Sequence, residues 1–159
     1  MEVAEEQSQA VAQKQGQIKI TVCLSLSGIA EGGQEVYDEF QKQIGEMEAN
    51  AALGERKCEM SQVGCRGYCS RDVLVDVYVP GEDRVTYEKV KPAMVKNILN
   101  DHIVGGKVFK KAASKEDYYT TLGKQTRVAL EHGGSIDPES IDDYIKVGGY
   151  ESLKKVLTT

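Results

Sequence analysis

The residues of this 159-residue chain best suited to chemistry are its four cysteines, Cys23, Cys58, Cys65 and Cys69. Two of them fall in residues 63–70, VGCRGYCS, with three residues between them and a glycine on either side of Cys65's neighbourhood, Gly64 and Gly67. Two thiolates share one iron when their sulfurs approach within about 3.8 Å, the edge of a tetrahedron with metal–sulfur bonds of about 2.3 Å. A Cys-x3-Cys loop achieves this if it bends sharply. Glycine supplies the backbone freedom for such a bend and leaves N–H groups free to point at sulfur, where they tune a reduction potential. Spacing alone leaves other chemistries open. A redox disulfide between Cys65 and Cys69, a zinc site completed by other donors, and inert thiols all remain compatible with it.

The elements that must position these thiols are legible in outline. QIKITVCLSLSG alternates apolar and polar side chains through Ile18, Ile20 and Val22, which predicts a half-buried strand ending near Cys23. Val36, Tyr37, Phe40 and Ile44 then recur at helical spacing, with Gly45 near the expected stop. KCEMSQVGC reads as a second strand running into the cysteine loop, VLVDVYVP as a third ended by Pro80, and RVTYEKV as its hairpin partner. Pro92 near a helix start, a stripe of Val95, Ile98, Leu99 and Ile103, and Gly105–Gly106 beyond it predict a second helix. The order is βαβββα, an α+β arrangement with four strands and two helices.

The remainder of the chain is assigned more coarsely. Residues 1–16 form a polar lead with too little apolar side chain to bury a face, and 17–111 the α+β domain. Residues 112–135 turn polar and read as a linker, and 136–159 as a short helical segment. In that segment Asp137 is the expected helix cap, with Pro138 at the first position. Gly148 and Gly149 break the helix, and Tyr150, Leu153, Val156 and Leu157 form a second apolar stripe.

Composition narrows the function. Twenty basic against 25 acidic side chains give a formal charge of −5, spread without long single-sign blocks, so no footprint for a nucleic-acid backbone is visible. No apolar run reaches membrane-spanning length, and the acidic, polar start is unlike a signal peptide. These features predict a cytoplasmic protein, a setting in which clustered cysteines more often bind metal or do redox work than form structural disulfides. His102 and His132 are expected at the surface or at caps, since neither pairs with a cysteine at hydrolase or zinc spacing. Asp142 and Asp143 read as a solvated helix face. No catalytic residue is predicted.

ITVCLSLSGIAEGGQEVYDEF, GCRGYC, VLVDVYVPGEDRVTYEKVKPAMVKNIL and GGKV together resemble the thioredoxin-like [2Fe–2S] ferredoxin domain found at the front of NADH-binding flavoprotein subunits. These are relatives of the complex I flavoprotein in NAD-linked and electron-bifurcating hydrogenases. QTRVALEHGGSIDPESIDDYIKVGGYESLKKVL resembles the opening segment of the flavoprotein domain itself. The resemblance implies a thioredoxin-like ferredoxin fold and a [2Fe–2S] cluster. It further implies an electron-transfer role in an NADH-dependent (quinone, hydrogenase or bifurcating) oxidoreductase, with a flavoprotein domain and other iron–sulfur subunits as partners. It carries over Cys23, Cys65 and Cys69 as cluster ligands.

Two departures qualify what is implied. The family's fourth cysteine, in the loop after the first strand, falls here on Gly28. Ser27 and Ser25 are the nearest oxygen donors along the chain, and Ser27 is the candidate replacement. Cys58 is separated from Cys65 by seven residues of extended strand, about 23 Å, and is expected to be a packing residue. The glycine-rich loop that would cradle FMN and NADH phosphates is absent from this sequence, so the chain alone is expected to bind neither. A cluster-free scaffold that docks the flavoprotein to partner subunits is the rival expectation.

Overall fold

The computed structural model describes residues 17–158; the polar lead 1–16 lies outside the described residues. Strand β1, Ile18–Cys23, buries Ile18, Ile20 and Val22 on one side and turns Thr21 and Cys23 to the other, as its alternation predicts. A short helix α1, Leu26–Ala30, and a long helix α2, Gly33–Ala49, carry the chain to β2, Cys58–Val63. β2 lies parallel to β1 with Cys58 opposite Ile18 and Val63 opposite Cys23. β3, Val75–Tyr78, pairs antiparallel with β1, and β4, Val85–Tyr87, antiparallel with β3. The sheet order is therefore β2-β1-β3-β4.

Helix α3, Pro92–Asn97, starts on its proline and continues through a wider π-helical turn, Ile98–Val104, which stops at Gly105. Val95, Ile98, Leu99 and Ile103 face the sheet beside Val36, Phe40 and Ile44 of α2, forming the main core with Ile18, Ile20, Val22, Val75, Val77 and Tyr87. The expected βαβββα order holds with one addition inside it, the short helix α1 between β1 and α2, and the chain adds further helices after it.

Several local expectations are corrected. Gly45 does not end α2, which runs on to Ala49; Gly45 is unobstructed, and its cost of about 1 kcal/mol is small beside the buried face of a 17-residue helix. The stretch 112–135 read as a linker contains helix α4, Glu116–Gly123. Tyr118 and Leu122 of α4 pack with Cys23 and Leu74 in a second core on the far side of the sheet. That packing explains why all four residues of β3 are buried: both faces of the strand are covered. Asp137 does not cap the next helix. Ser140 does, accepting from the Asp143 amide at 3.2 Å ahead of α5, Ile141–Lys146, and α6, Glu151–Thr158, follows the Gly148–Gly149 break. Among the described residues no helix is long and apolar enough to cross a membrane.

Candidate functional site

The cysteine loop leaves β2 at Val63, where the Leu24 amide donates to the Val63 carbonyl at 3.1 Å and ties it to the end of β1. Register therefore delivers Cys23 and the loop to the same end of the sheet. Gly67 takes a positive φ of 81°, the bend that the Cys-x3-Cys spacing requires, and a short 3-10 turn, Cys69–Arg71, follows. The Cys65 and Cys69 sulfurs lie 3.5 Å apart, and the Gly67 amide donates to the Cys65 sulfur at 3.2 Å. Cys69 is exposed and Cys65 half-buried.

Cys23 is 1% exposed. Its thiol donates toward Ser25 Oγ at 3.4 Å and the Gly64 carbonyl at 3.8 Å, so it lies against the residue that precedes Cys65. Burial pushes the Cys23 thiol up, and its hydrogen bonding with Ser25 opposes this in part. The Cys69 thiol is also raised, first by its hydrogen bond and charge interaction with Cys65, as expected of two sulfurs that resist sharing two negative charges. A cation between them relieves that repulsion.

Cys58 stands at the opposite end of β2, paired with Ile18 and packed on the main core. Burial pushes its thiol up to about 12. Gly28 lies inside α1, where Ser25 caps the helix by accepting the Gly28 amide at 3.2 Å. A Cβ at position 28 would collide with the Cys23 carbonyl oxygen, so the backbone here is built around glycine. Ser27 Oγ reaches the Cys69 carbonyl at 3.5 Å.

The donor set fits a binuclear cluster in part. The Cys65–Cys69 separation matches the edge expected for two thiolates on one iron, and Cys23 is beside the loop. Among the described residues no three His, Cys, Asp or Glu side chains gather as a single-metal cage requires, whereas a binuclear cluster asks for only two donors per iron.

The loop also carries a residue that sequence reasoning passed over. Arg66, between the two cysteines, is 5% exposed and ion-paired with Asp76 of β3, itself 0% exposed. Thr86 Oγ1 donates to Asp76 at 2.7 Å and Tyr78 Oη at 3.3 Å. Burial opposes ionisation of Asp76, but the Arg66 and Arg84 charges and the hydrogen bonds from Arg66 and Thr86 prevail and hold its carboxyl below the usual range. Arg66 also donates to the Gly134 carbonyl at 3.4 Å and to Tyr118 Oη at 3.5 Å. Residues 130–139 thus sit on the loop. Gln62 Nε2 donates to Asp137 at 3.1 Å and Glu139 at 3.2 Å on the same side. The signal for this was Asp76 in VLVDVYV, a carboxylate at the alternate positions of an otherwise apolar strand. His102, expected at the surface, is 1% exposed, with its Nδ1 2.9 Å from Tyr87 Oη.

A four-stranded thioredoxin-like sheet with a cysteine loop at one end defines a class of small redox domain. Residues 1–102 match the thioredoxin-like [2Fe–2S] ferredoxin family, and the chain belongs to it. It is similar to the NADP-reducing hydrogenase subunit HndB of Solidesulfovibrio fructosivorans, 25% identical over 95 residues, which is 60% of this chain and 71% of that protein. It is also similar to subunit HndC of the same hydrogenase, 64% identical over 39 residues, 24% of this chain but only 8% of HndC's length. The thioredoxin-like [2Fe–2S] ferredoxin from Aquifex aeolicus shares the fold. It has a TM-score of 0.53 at 23% identity over 62% of this chain and 90% of that one.

Proposed function

We propose that this chain is a one-electron carrier of a multi-subunit, pyridine-nucleotide-linked oxidoreductase, with Cys23, Cys65 and Cys69 as cluster ligands. The observation that carries the reading is the 3.5 Å approach of the Cys65 and Cys69 sulfurs on a glycine-bent loop beside Cys23. A [2Fe–2S] cluster, when bound, supplies reversible one-electron chemistry. The protein's own part is to hold two thiolates together, to aim the Gly67 amide at one sulfur, and to keep Cys23 dry beneath Tyr118 and Leu122.

Likeness to two subunits named for an NADP-reducing hydrogenase supports a hydrogenase-type assembly, and residues 136–159 are read as the start of a flavoprotein domain. The apolar Ile141, Ile145, Leu153, Val156 and Leu157 of α5 and α6 are exposed, which suits packing on such a partner. Electrons would pass between flavin and other iron–sulfur subunits, with catalysis outside this chain. One observation favours the cluster-free scaffold instead: the backbone at Gly28 has no room for the family's fourth thiol. Anaerobic reconstitution decides between them. The account predicts close to two irons and two sulfides per chain, lost in Cys65→Ser; an iron-free wild-type chain supports the scaffold.

A further inference from the structure

Asp72 follows the 3-10 turn of the cysteine loop, its amide donating to the Cys69 carbonyl at 3.2 Å. It is 6% exposed, and neither of its carboxylate oxygens has a hydrogen-bond partner. A buried carboxylate without a donor is costly and rare in folded proteins, and a proton or a bound cation offsets that cost. Two residues further on, Leu74 accepts the Cys23 amide at 2.9 Å and packs against the Cys23 side chain, so Asp72 lies at the end of the sheet that holds Cys23. Asp72 also lines a cavity with Cys69, Ser70, Glu31, Lys89 and Lys91.

We propose that the Asp72 carboxylate, and not the Ser27 hydroxyl, supplies the oxygen donor that completes Cys23, Cys65 and Cys69 around the cluster. The inference rests on the electron-transfer reading above. Position 28 is closed by the Cys23 carbonyl, and Ser25 Oγ is already engaged by Cys23 and the Gly28 amide. Ser27 is half-exposed, bonds to backbone, and would have to lose a hydroxyl proton to become a strong ligand. A carboxylate is a hard oxygen donor of the kind iron accepts. Of the lysines on the cavity wall, Lys91 is engaged by the Glu31 carboxylate at 3.3 Å and carbonyl at 3.1 Å, which leaves Lys89 as the rival partner to test.

The test is anaerobic reconstitution of the full chain and of Asp72→Asn, Asp72→Cys, Ser27→Ala and Lys89→Gln, with circular dichroism confirming the fold. The readouts are iron and sulfide per chain, iron release to a chelator, and the paramagnetic resonance and potential of the reduced cluster. Asp72→Asn should release iron about tenfold faster or more, since even outer-shell changes cost that much. Ser27→Ala and Lys89→Gln should behave as wild type. Asp72→Cys should keep two irons with altered g-values and a higher potential. A cluster unchanged in Asp72→Asn, or in Asp72→Cys should the asparagine variant not fold, overturns this inference and leaves the electron-transfer reading standing. A Lys89→Gln chain that mimics Asp72→Asn also overturns it, reassigning Asp72 to an ion pair. An iron-free wild type overturns both.

Discussion

Arg66 carries its guanidinium from the middle of the cysteine loop into the protein, and what that costs is set by Asp76. With both groups buried, each makes the other tolerable, and removing one strands the other. Asp76→Asn keeps the shape and deletes the charge, so it should lower the unfolding free energy by about 3–5 kcal/mol in urea titrations; a loss under about 1 kcal/mol would contradict the pairing. Asp76 is a signal within its own strand, but the identity of its partner is not readable from sequence. Arg66 in CRGYC resembles a solvated loop charge, and its partner lies ten residues away on a different element. The thiols were readable, because the Cys65–Cys69 contact is local and set by spacing, as was the packing role of Cys58, because parallel pairing with β1 holds it at the far end of a six-residue strand.

Among the elements, α3 with its π-helical turn shows where helical patterns inform and where they mislead. The stripe Val95, Ile98, Leu99 and Ile103 predicted the buried face correctly. His102 sits on that same stripe, four residues after Ile98, and this position buries it, whereas the lack of a cysteine partner, on which the surface expectation rests, says nothing about burial. Burial holds its imidazole below the ordinary value of 6.5, with Glu82 opposing in part. The unfolded chain takes up a proton near pH 6.5 that the folded chain refuses until lower pH. Stability from His102 is thus fully present above that pH and is lost as the pH falls from it toward the folded value. Urea titrations across this window should show a fall for wild type and a flatter profile for His102→Gln, and an identical slope in the variant would contradict the assignment. α4 escaped notice for the converse reason: Tyr118 and Leu122 are two apolar positions four apart in a polar stretch, too few to set a period, yet enough to cover Cys23.

For the whole molecule, the sequence expresses the βαβββα order because each element has its own periodicity, while the layer over the second face depends on long-range contacts that periodicity does not encode. Gly134 is the tightest of these: its φ is +81°, and a Cβ there would meet the Arg66 side chain. Gly134→Ala should cost about 1–3 kcal/mol locally and speed proteolysis within 124–140 while amides of β1 and β3 stay protected. Equal cleavage rates would show that residues 130–139 do not lean on the loop.

Whether the cysteine end of this sheet holds a redox cluster is measured most directly by spin-quantified paramagnetic resonance of the anaerobically reconstituted, reduced chain. One unpaired electron per two irons is predicted, retained in Cys58→Ser and abolished in Cys65→Ser. A chain that binds no iron, or a signal that depends on Cys58 and not on Cys65, would contradict it.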